Sequence, residues 1–246
     1  MKNHCSASQL MKFHQYGFHE AVYRIENPSH PTAAMQFGSL VDALYYDVER
    51  DRFVPWPIDN GKPLSANSNA FKAAAASLGD DRQFVKQADM DAAERAVESL
   101  HANTFAESLW ENSIRQNKLT WENSGVEFHG VPDAYNGSGI SDLKTTDKID
   151  QRSFIRKVMQ MGYHIQAYLY VNAVQQLTGM DLPFHWVVQC NRPPYEVVVY
   201  RADDEIIWAG EGAAKIMLDK WVDWHNESYD KYAQQELVTL MLPEWA

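Results

Sequence analysis

The spacing of apolar residues changes near Leu119, where the first strand-like run begins. Before that point apolar side chains recur at helical spacing, as at Leu10 and Phe13, and the proline- and glycine-rich residues 51–66 predict a loop. After it, short alternating runs separated by turn residues predict β-strands. This order predicts an α+β or α/β fold in which helices cover the faces of a sheet.

The predicted elements after Leu119 begin with an antiparallel pair, 119–122 and 126–135, and a third strand at 140–146. One helical stretch then runs to about Leu177, followed by strands at 184–190 and 196–201 and a final helix at 204–224. We interpret residues 1–246 as one domain. Its parts are a mainly helical 1–118, a sheet core at 119–203 and a C-terminal helical part at 204–246.

The chain has 246 residues, enough to bury a sizeable core. No window approaches the roughly 20 apolar residues of a membrane-spanning helix, and the N-terminus leads into no apolar signal stretch. We therefore expect a cytoplasmic protein without a membrane partner. The two cysteines, Cys5 and Cys190, are too few for a disulfide framework, a four-cysteine zinc site or a four-cysteine iron–sulfur cluster.

Charge is distributed unevenly along the sequence. The formal net charge of −11 excludes a protein that coats nucleic acid through an all-round basic surface. Residues 144–157 nevertheless hold five basic and two acidic side chains, whereas residues 201–246 hold four basic and ten acidic ones. A basic run of this length is ordinarily a solvated face, unless residues with a chemical role lie beside it.

Such residues lie at the start of the basic run. Asp133 follows Gly-Val-Pro, and Asp142-Leu143-Lys144 follows nine residues later, on the next predicted strand. If the two strands pair across the turn at 136–139, both carboxylates and the lysine can lie on one sheet face. Carboxylate oxygens suit Mg²⁺ or Mn²⁺, and a lysine beside the metal can position an attacking water. The alternative is a salt-bridged surface pair, because the tripeptide Asp-x-Lys is common.

A polar stripe is expected on the helix that follows. Tyr163, Gln166 and Tyr170 are three and four residues apart, so at about 100° per residue they share one helix face. Ile165 and Leu169 lie on the opposite side and would pack on the sheet. The stripe would then place an amide and two phenols near the carboxylates, although such a stripe is also typical of ordinary surface.

These motifs together resemble the PD-(D/E)XK nuclease superfamily. The segments are Gly-Val-Pro-Asp133, Ser-Asp142-Leu-Lys144-Thr-Thr and Gly-Tyr163-His-Ile-Gln166-Ala-Tyr-Leu-Tyr170. Their order and spacing are similar to those of the phage and prophage RecE-like exonucleases, the exodeoxyribonuclease VIII type, which are related to lambda exonuclease. The resemblance is strongest over residues 119–177 and looser at residues 6–13 and 37–40.

The resemblance implies a restriction-endonuclease-like core, with a mixed central sheet flanked by helices and a helical N-terminal elaboration. It also implies a role for each matching residue. Asp133 and Asp142 would bind the metal together with the Leu143 carbonyl, and Lys144 would be the catalytic lysine. Gln166 and Tyr170 match the Gln-x-x-x-Tyr motif of the family, which is implied to contact DNA and organise the site, and Tyr163 lies beside it.

Two features depart from the family pattern. A metal-binding histidine is common four residues after a glycine in the first helical motif, whereas here Gly38 is followed at that spacing by Asp42. A carboxylate can take the same coordination position, so Asp42 is a further candidate ligand. The upstream glutamate of the family has three candidates, which the sequence does not separate: Glu111, Glu122 and Glu127.

The implied function is Mg²⁺-dependent hydrolysis of linear double-stranded DNA from its ends, 5′ to 3′, in phage-type recombination. Arg152, Arg156 and Lys157 follow the lysine strand and would hold DNA phosphates. The resemblance also implies a phage- or prophage-encoded homo-oligomer, such as a ring, acting in the bacterial host with a single-strand annealing protein. An endonuclease or structure-specific nuclease on the same fold, and a non-catalytic phage DNA-binding or assembly protein, are the alternatives.

Overall fold

The computed structural model describes residues 4–79 and 82–226. The helices within these ranges are α1 (Ala7–Gln15), α2 (Phe18–Glu26), α3 (Ala33–Tyr46), α4 (Asn69–Ala76), α5 (Gln87–Ala102), α6 (Thr104–Trp110), α7 (Gln151–Met161), α8 (Tyr163–Thr178) and α9 (Asp204–His225). The strands are β1 (His4–Ser6), β2 (Phe53–Pro55), β3 (Ile58–Asp59), β4 (Lys62–Pro63), β5 (Gln83–Val85), β6 (Ile114–Arg115), β7 (Leu119–Asn123), β8 (Val126–Gly130), β9 (Ala134–Asn136), β10 (Gly139–Thr146), β11 (Phe184–Cys190) and β12 (Val197–Arg201). The C-terminal helical prediction is met by α9 as far as His225, and residues 227–246 lie outside the described part.

The central sheet has five strands in the order β12-β11-β10-β9-β6. Its middle strands β10 and β11 run parallel over seven residue pairs, because α7 and α8 form the crossover between them. The remaining pairs, β9–β10, β11–β12 and β6–β9, are antiparallel. The sheet is therefore mixed and flanked by helices, as predicted.

A second sheet has three strands in the order β1-β8-β7. The prediction of one strand over 126–135 is wrong, because pairing to β7 stops at Gly130 and the chain resumes in the central sheet at Ala134. Pro132 lies in the break, and it has no N–H to donate to a ladder. The short β1 was not predicted, since three residues carry no periodic signal, and the segment predicted as a loop at 51–66 contains the three short strands β2, β3 and β4.

The predicted helix after β10 is two helices rather than one. Gly162 has a φ of 73° and ends α7 in the left-handed region, and α8 starts at the next residue. The sequence pattern did not reveal the break, because apolar residues keep helical spacing on both sides of a single glycine. As a result α8 takes its own direction across the sheet and packs against α9 and β7.

The central sheet is covered on both faces by apolar side chains. Trp186 and Val188 of β11 belong to a cluster that includes the buried faces of α1, α7, α8 and α9. Val187, between them in sequence, belongs to a cluster formed with α3, α5 and α6. This alternation places β10 and β11 inside the protein. No helix in the described ranges is both long enough and apolar enough to cross a membrane.

Gly210 of α9 lies directly against the backbone of α8. A Cβ at that position would overlap the carbonyl oxygen of His164, which is backbone and cannot move aside. Gly212, two residues further along α9, is exposed, and a Cβ added there would meet no heavy atom within 4 Å.

We expect Gly210→Ala to lower the free energy of unfolding by about 1–3 kcal/mol, because α9 must shift away from α8. Gly212→Ala is the matched control in the same helix. It should raise the free energy of unfolding by about 0.5–1 kcal/mol through helix propensity alone. Urea unfolding of the three proteins measures both changes, and equal effects at the two positions would contradict the packing of α8 on α9.

Candidate active site

A cleft of about 260 Å³ opens beside the middle of β10. Its walls come from α3, from the segment that leads into β9, from β10 and from α8. The lining residues are Gly38, Ser39, Asp42, Asp133, Asp142, Leu143, Lys144, Thr145 and Gln166. The predicted metal ligands and the predicted catalytic lysine therefore come together in one place.

Asp142 and Lys144 are two residues apart on β10, so their side chains leave the strand on the same face. Asp142 is 2% exposed, and its Oδ2 forms an ion pair with the Lys144 ammonium. That ammonium lies 4.7 Å from the centre of the Tyr163 ring on α8. Burial opposes the charged form of Lys144, but Asp142, Tyr163 and Asp133 outweigh it and raise the pKa of the ammonium.

Asp133 lies at a bend directly before β9, not on a strand as predicted. The bend follows from the break at Pro132. Its Oδ2 accepts a hydrogen bond of 2.7 Å from the Leu143 backbone N–H, which fixes the carboxylate against β10. Burial, with Asp142 and Asp42 nearby, raises the pKa of Asp133 well above its ordinary range.

Asp42 reaches the cleft from α3, the helix that carries the first motif. Its Oδ2 accepts a hydrogen bond of 2.6 Å from Gln116 Nε2. Burial raises the pKa of Asp42 to about 6, the Gln116 hydrogen bond opposes the rise, and Asp142 adds to it. Asp42 thus stands in the cleft at the position where the family commonly has a histidine, facing the other two aspartates.

Gln116 is a site residue that the sequence analysis missed. Its side chain binds Asp42, and its backbone N–H donates to the Asp133 carbonyl at 2.9 Å. It has a φ of 44°, unusual for a residue other than glycine, in the connection between β6 and β7. No motif includes this position, so only the structure reveals that Gln116 links two candidate ligands.

Two residues of the predicted polar stripe, Gln166 and Tyr170, have different surroundings. Gln166 lines the cleft, and its buried Oε1 has no hydrogen-bond partner among the described residues. Tyr170 is 5% exposed, and its hydroxyl donates to the Val131 carbonyl at 3.1 Å. Tyr170 therefore braces the segment that carries Asp133, while Gln166 forms part of the cleft wall.

The predicted DNA-binding cations lie on α7, outside the cleft. Arg152 and Arg156 are exposed, and Lys157 donates to Thr146 Oγ1 at 2.8 Å, just beyond the end of the cleft strand. None of the three candidate glutamates lines the cleft. Glu111 and Glu122 are exposed, and Glu127 pairs with His4 at 2.6 Å.

The donor set of the cleft suits a hard divalent cation. Three carboxylates and one ammonium line it, together with the backbone of Leu143, so negative charge is in excess. Within residues 4–79 and 82–226, no group of three or more histidine, cysteine, aspartate or glutamate side chains forms a ready-made metal site. Each carboxylate instead has a protein partner: Gln116, the Leu143 N–H or Lys144. Mg²⁺ needs only one or two carboxylates and keeps several waters, so the cleft fits it.

The sequence matches one family model over residues 6–228, described as a PDDEXK-like domain of unknown function (DUF3799). The chain belongs to this family. The PD-(D/E)XK superfamily inferred from the motifs is thereby confirmed. A comparison with curated proteins gave no match.

Solved structures show the same fold. A crystal structure from Eubacterium rectale, named "Putative exonuclease", superposes with a TM-score of 0.67 at 17% sequence identity. The match covers 98% of this chain and 91% of the other. It confirms the restriction-endonuclease-like fold, and together with the family match it supports a nuclease.

We expect the Asp42 carboxyl to make stability fall as pH rises. Its pKa in the folded chain is about 6 against an ordinary value of 3.8, so the folded state holds the proton more tightly. The contribution of Asp42 to the free energy of unfolding should therefore decline between about pH 4 and pH 6 in EDTA, by about 3 kcal/mol.

Asp42→Asn should remove this part of the decline and make the protein more stable at pH 7. Asp51→Asn, at an exposed position, is the control and should leave the pH profile unchanged. Urea unfolding at several pH values checks both variants. If the stability profile of Asp42→Asn ran parallel to the wild-type profile, burial would not raise the pKa of Asp42 in the folded protein.

Proposed function

We propose that this protein is a metal-dependent DNA exonuclease that hydrolyses phosphodiester bonds of linear double-stranded DNA, 5′ to 3′. The observation that carries the proposal is the presence of Asp133, Asp142 and Lys144 in one cleft of a PDDEXK-like fold. The likeness to a structure named as an exonuclease supports action at DNA ends. The polarity rests on the resemblance of the motifs to RecE-like exonucleases.

Asp133, Asp142 and the Leu143 carbonyl are the proposed metal ligands, with Asp42 as a fourth. Bound Mg²⁺, or Mn²⁺, would supply positive charge to the scissile phosphate and to the leaving oxygen. The carboxylates are held before any ion arrives: Asp133 by the Leu143 N–H, and Asp42 by Gln116. This prior order lowers the entropy lost on binding.

Lys144 is the proposed catalytic lysine. Its ammonium shares the cleft with the ligands, and Tyr163 and Asp142 hold it in position. An ammonium has three N–H donors, so while one is paired with Asp142 the others can hold the attacking water and a phosphate oxygen. Charge-assisted hydrogen bonds of this kind strengthen as the phosphate gains negative charge in the transition state.

DNA would approach along the basic segment that follows β10. Arg152 and Arg156 are exposed on α7, and Lys157 is anchored to Thr146, two residues after Lys144. Phosphate contacts by such side chains position a duplex without reading its sequence. Gln166 lines the cleft, and its amide would add a contact to DNA there.

The biological setting in the proposal comes from the resemblance alone. It comprises phage-type recombination in the host cytoplasm, a single-strand annealing protein as partner and a homo-oligomer such as a ring. An acidic body with a basic segment suits a ring whose channel attracts DNA.

Light scattering across protein concentrations tests the proposed oligomer. A monomer at every concentration would refute it.

We expect purified protein with Mg²⁺ to degrade linear double-stranded DNA and to leave covalently closed circles intact, with EDTA abolishing the activity. Lys144→Ala should lower the rate about a hundredfold or more, because the positioned donor is lost. Lys215→Ala, on an exposed face of α9, is the matched control and should keep the wild-type rate.

The outcomes of this assay separate the alternatives. Cutting of the closed circle would indicate an endonuclease, and a wild-type rate for Lys144→Ala would contradict its catalytic role. Absence of cutting with both Mg²⁺ and Mn²⁺ would indicate a binding protein instead. Labelling each 5′ or 3′ end then determines the polarity.

Asp142→Asn should weaken Mn²⁺ binding by about tenfold or more, because a neutral amide replaces a charged ligand of nearly the same shape. Isothermal titration calorimetry of the free protein measures this without DNA. Asp219→Asn, exposed on α9, serves as control. If Asp142→Asn bound Mn²⁺ with wild-type affinity, Asp142 would not be a ligand of the metal.

A further inference from the structure

Strand β12 (Val197–Arg201) forms one edge of the central sheet. It pairs with β11 in a regular antiparallel register over all five residues, and its own side chains are mostly half-buried. Exposed edges are usually protected by proline, lysine or a bulge. The sequence Val-Val-Val-Tyr-Arg of β12 has no proline or lysine, and its register has no bulge, so the strand itself carries none of these protections.

The hydrogen bonds to β11 show which backbone groups face outward. Cys190 N donates to the Glu196 carbonyl and Ala202 N donates to the Phe184 carbonyl, so even-numbered residues of this segment bond to β11. The N–H and C=O groups of Val197, Val199 and Arg201 therefore point to the free edge.

This edge is only partly capped by the described residues. Asn103 Nδ2 donates to the Val197 carbonyl at 3.3 Å. The outward N–H and C=O of Val199 bond to none of the described residues. The backbone of Val199, in the middle of β12, can thus donate one hydrogen bond to a neighbouring strand and accept one from it.

Two cavities flank the same strand on opposite faces of the sheet. One, of about 550 Å³, is lined by Phe105, Pro183 and the β12 valines among others. The second, of about 390 Å³, lies between α7 and α9 and has Phe154, Trp186 and Tyr200 in its lining. Because side chains of a strand alternate between faces, a strand added beside β12 would place successive side chains into these two cavities.

Exposed apolar side chains line both cavities. Phe105 is 51% exposed in the first cavity, and Met159 and Ile155 are 42% and 37% exposed at the second. Arg201 lines both cavities and forms no ion pair with a described residue. The second cavity already has Asp203 and Glu205 in its lining, and the first has no carboxylate. Apolar side chains, with a carboxylate only on the side of the first cavity, are therefore the chemistry that would complement this edge.

We propose that β12 is the docking edge for an extended peptide segment of another protein. The segment adds a strand to the central sheet, places alternate apolar side chains into the two cavities and pairs an acidic residue with Arg201. Main-chain hydrogen bonds to Val199 supply affinity, and the cavities supply selectivity for apolar side chains. The proposal is independent of the nuclease function, since none of these residues lines the cleft.

A second copy of this chain fits the edge less well. A twofold axis through Val199 would pair β12 with itself and bring each cavity against the identical cavity of the partner. The two volumes would join, and the side chains that the second β12 brings are already half-buried against their own sheet, so they would fill little of the joined space. A free peptide, by contrast, has side chains that are not already packed in a sheet of their own.

The test uses a defined set of fluorescein-labelled peptides, Glu-φ-Thr-φ-Thr-φ-Glu, in which φ is Val, Ile, Leu, Phe, Tyr or Trp at each position. Fluorescence anisotropy with the full chain measures binding. We expect members of the set to bind saturably, and N-methylation of the amides that face β12 to weaken the best peptide at least about tenfold. No binding by any member up to about 1 mM would overturn the proposal.

Val199→Pro tests the strand itself. It removes the outward N–H and leaves the hydrogen bonds to β11 intact, so the peptide should no longer bind. Val199→Thr keeps the N–H and the branched shape, and it should bind as the wild type does. Thermal melting shows whether each variant is folded, and Met159→Glu offers a second, surface variant that should weaken binding without altering the strand.

Amide hydrogen exchange identifies the occupant. Peptide addition should slow exchange at Val199 and Arg201. Equal binding of the N-methylated peptide, or protection at Val199 that rises with protein concentration in the absence of peptide, would overturn the proposal, the second result in favour of self-pairing.

Discussion

The central constraint on this molecule is that β10 is covered on both faces and yet carries charged residues. Isolated charges are expensive to bury, so Asp142 and Lys144 are stable there only as a pair. The parallel pairing with β11 on one side and the antiparallel pairing with β9 on the other fix the strand. One wall of the cleft is therefore held by backbone pairing on both sides.

Local sequence patterns were sufficient to predict a sheet covered by helices and the convergence of Asp133, Asp142 and Lys144, whereas the mixed strand directions were implied by the resemblance to the PD-(D/E)XK nucleases. The reason is that the turn at 136–139 joins neighbours in sequence, and alternation then decides which side chains share a face. Gln116 and β1 could not be predicted in this way. Both depend on pairing with residues far away in sequence, Asp42 in one case and β8 in the other.

The stripe on α8 shows a second limit of sequence patterns. Helical spacing correctly placed Tyr163, Gln166 and Tyr170 on one face of the helix. It did not predict which residues that face contacts. The ring of Tyr163 lies against the Lys144 ammonium, while the Tyr170 hydroxyl binds the backbone before Asp133. Their neighbours depend on the direction of α8, which is set by the left-handed turn at Gly162.

The order of the cleft residues along the chain has a consequence for synthesis. A ribosome releases Asp42 first, then Gln116, then the two β10 charges, and Gln166 on α8 last of these. β10 still lacks its parallel neighbour until residues 184–190 have emerged. A nascent chain that ends before residue 190 contains the three aspartates but lacks the complete strand β11 that pairs with β10. The site is therefore completed only when most of the protein has left the ribosome.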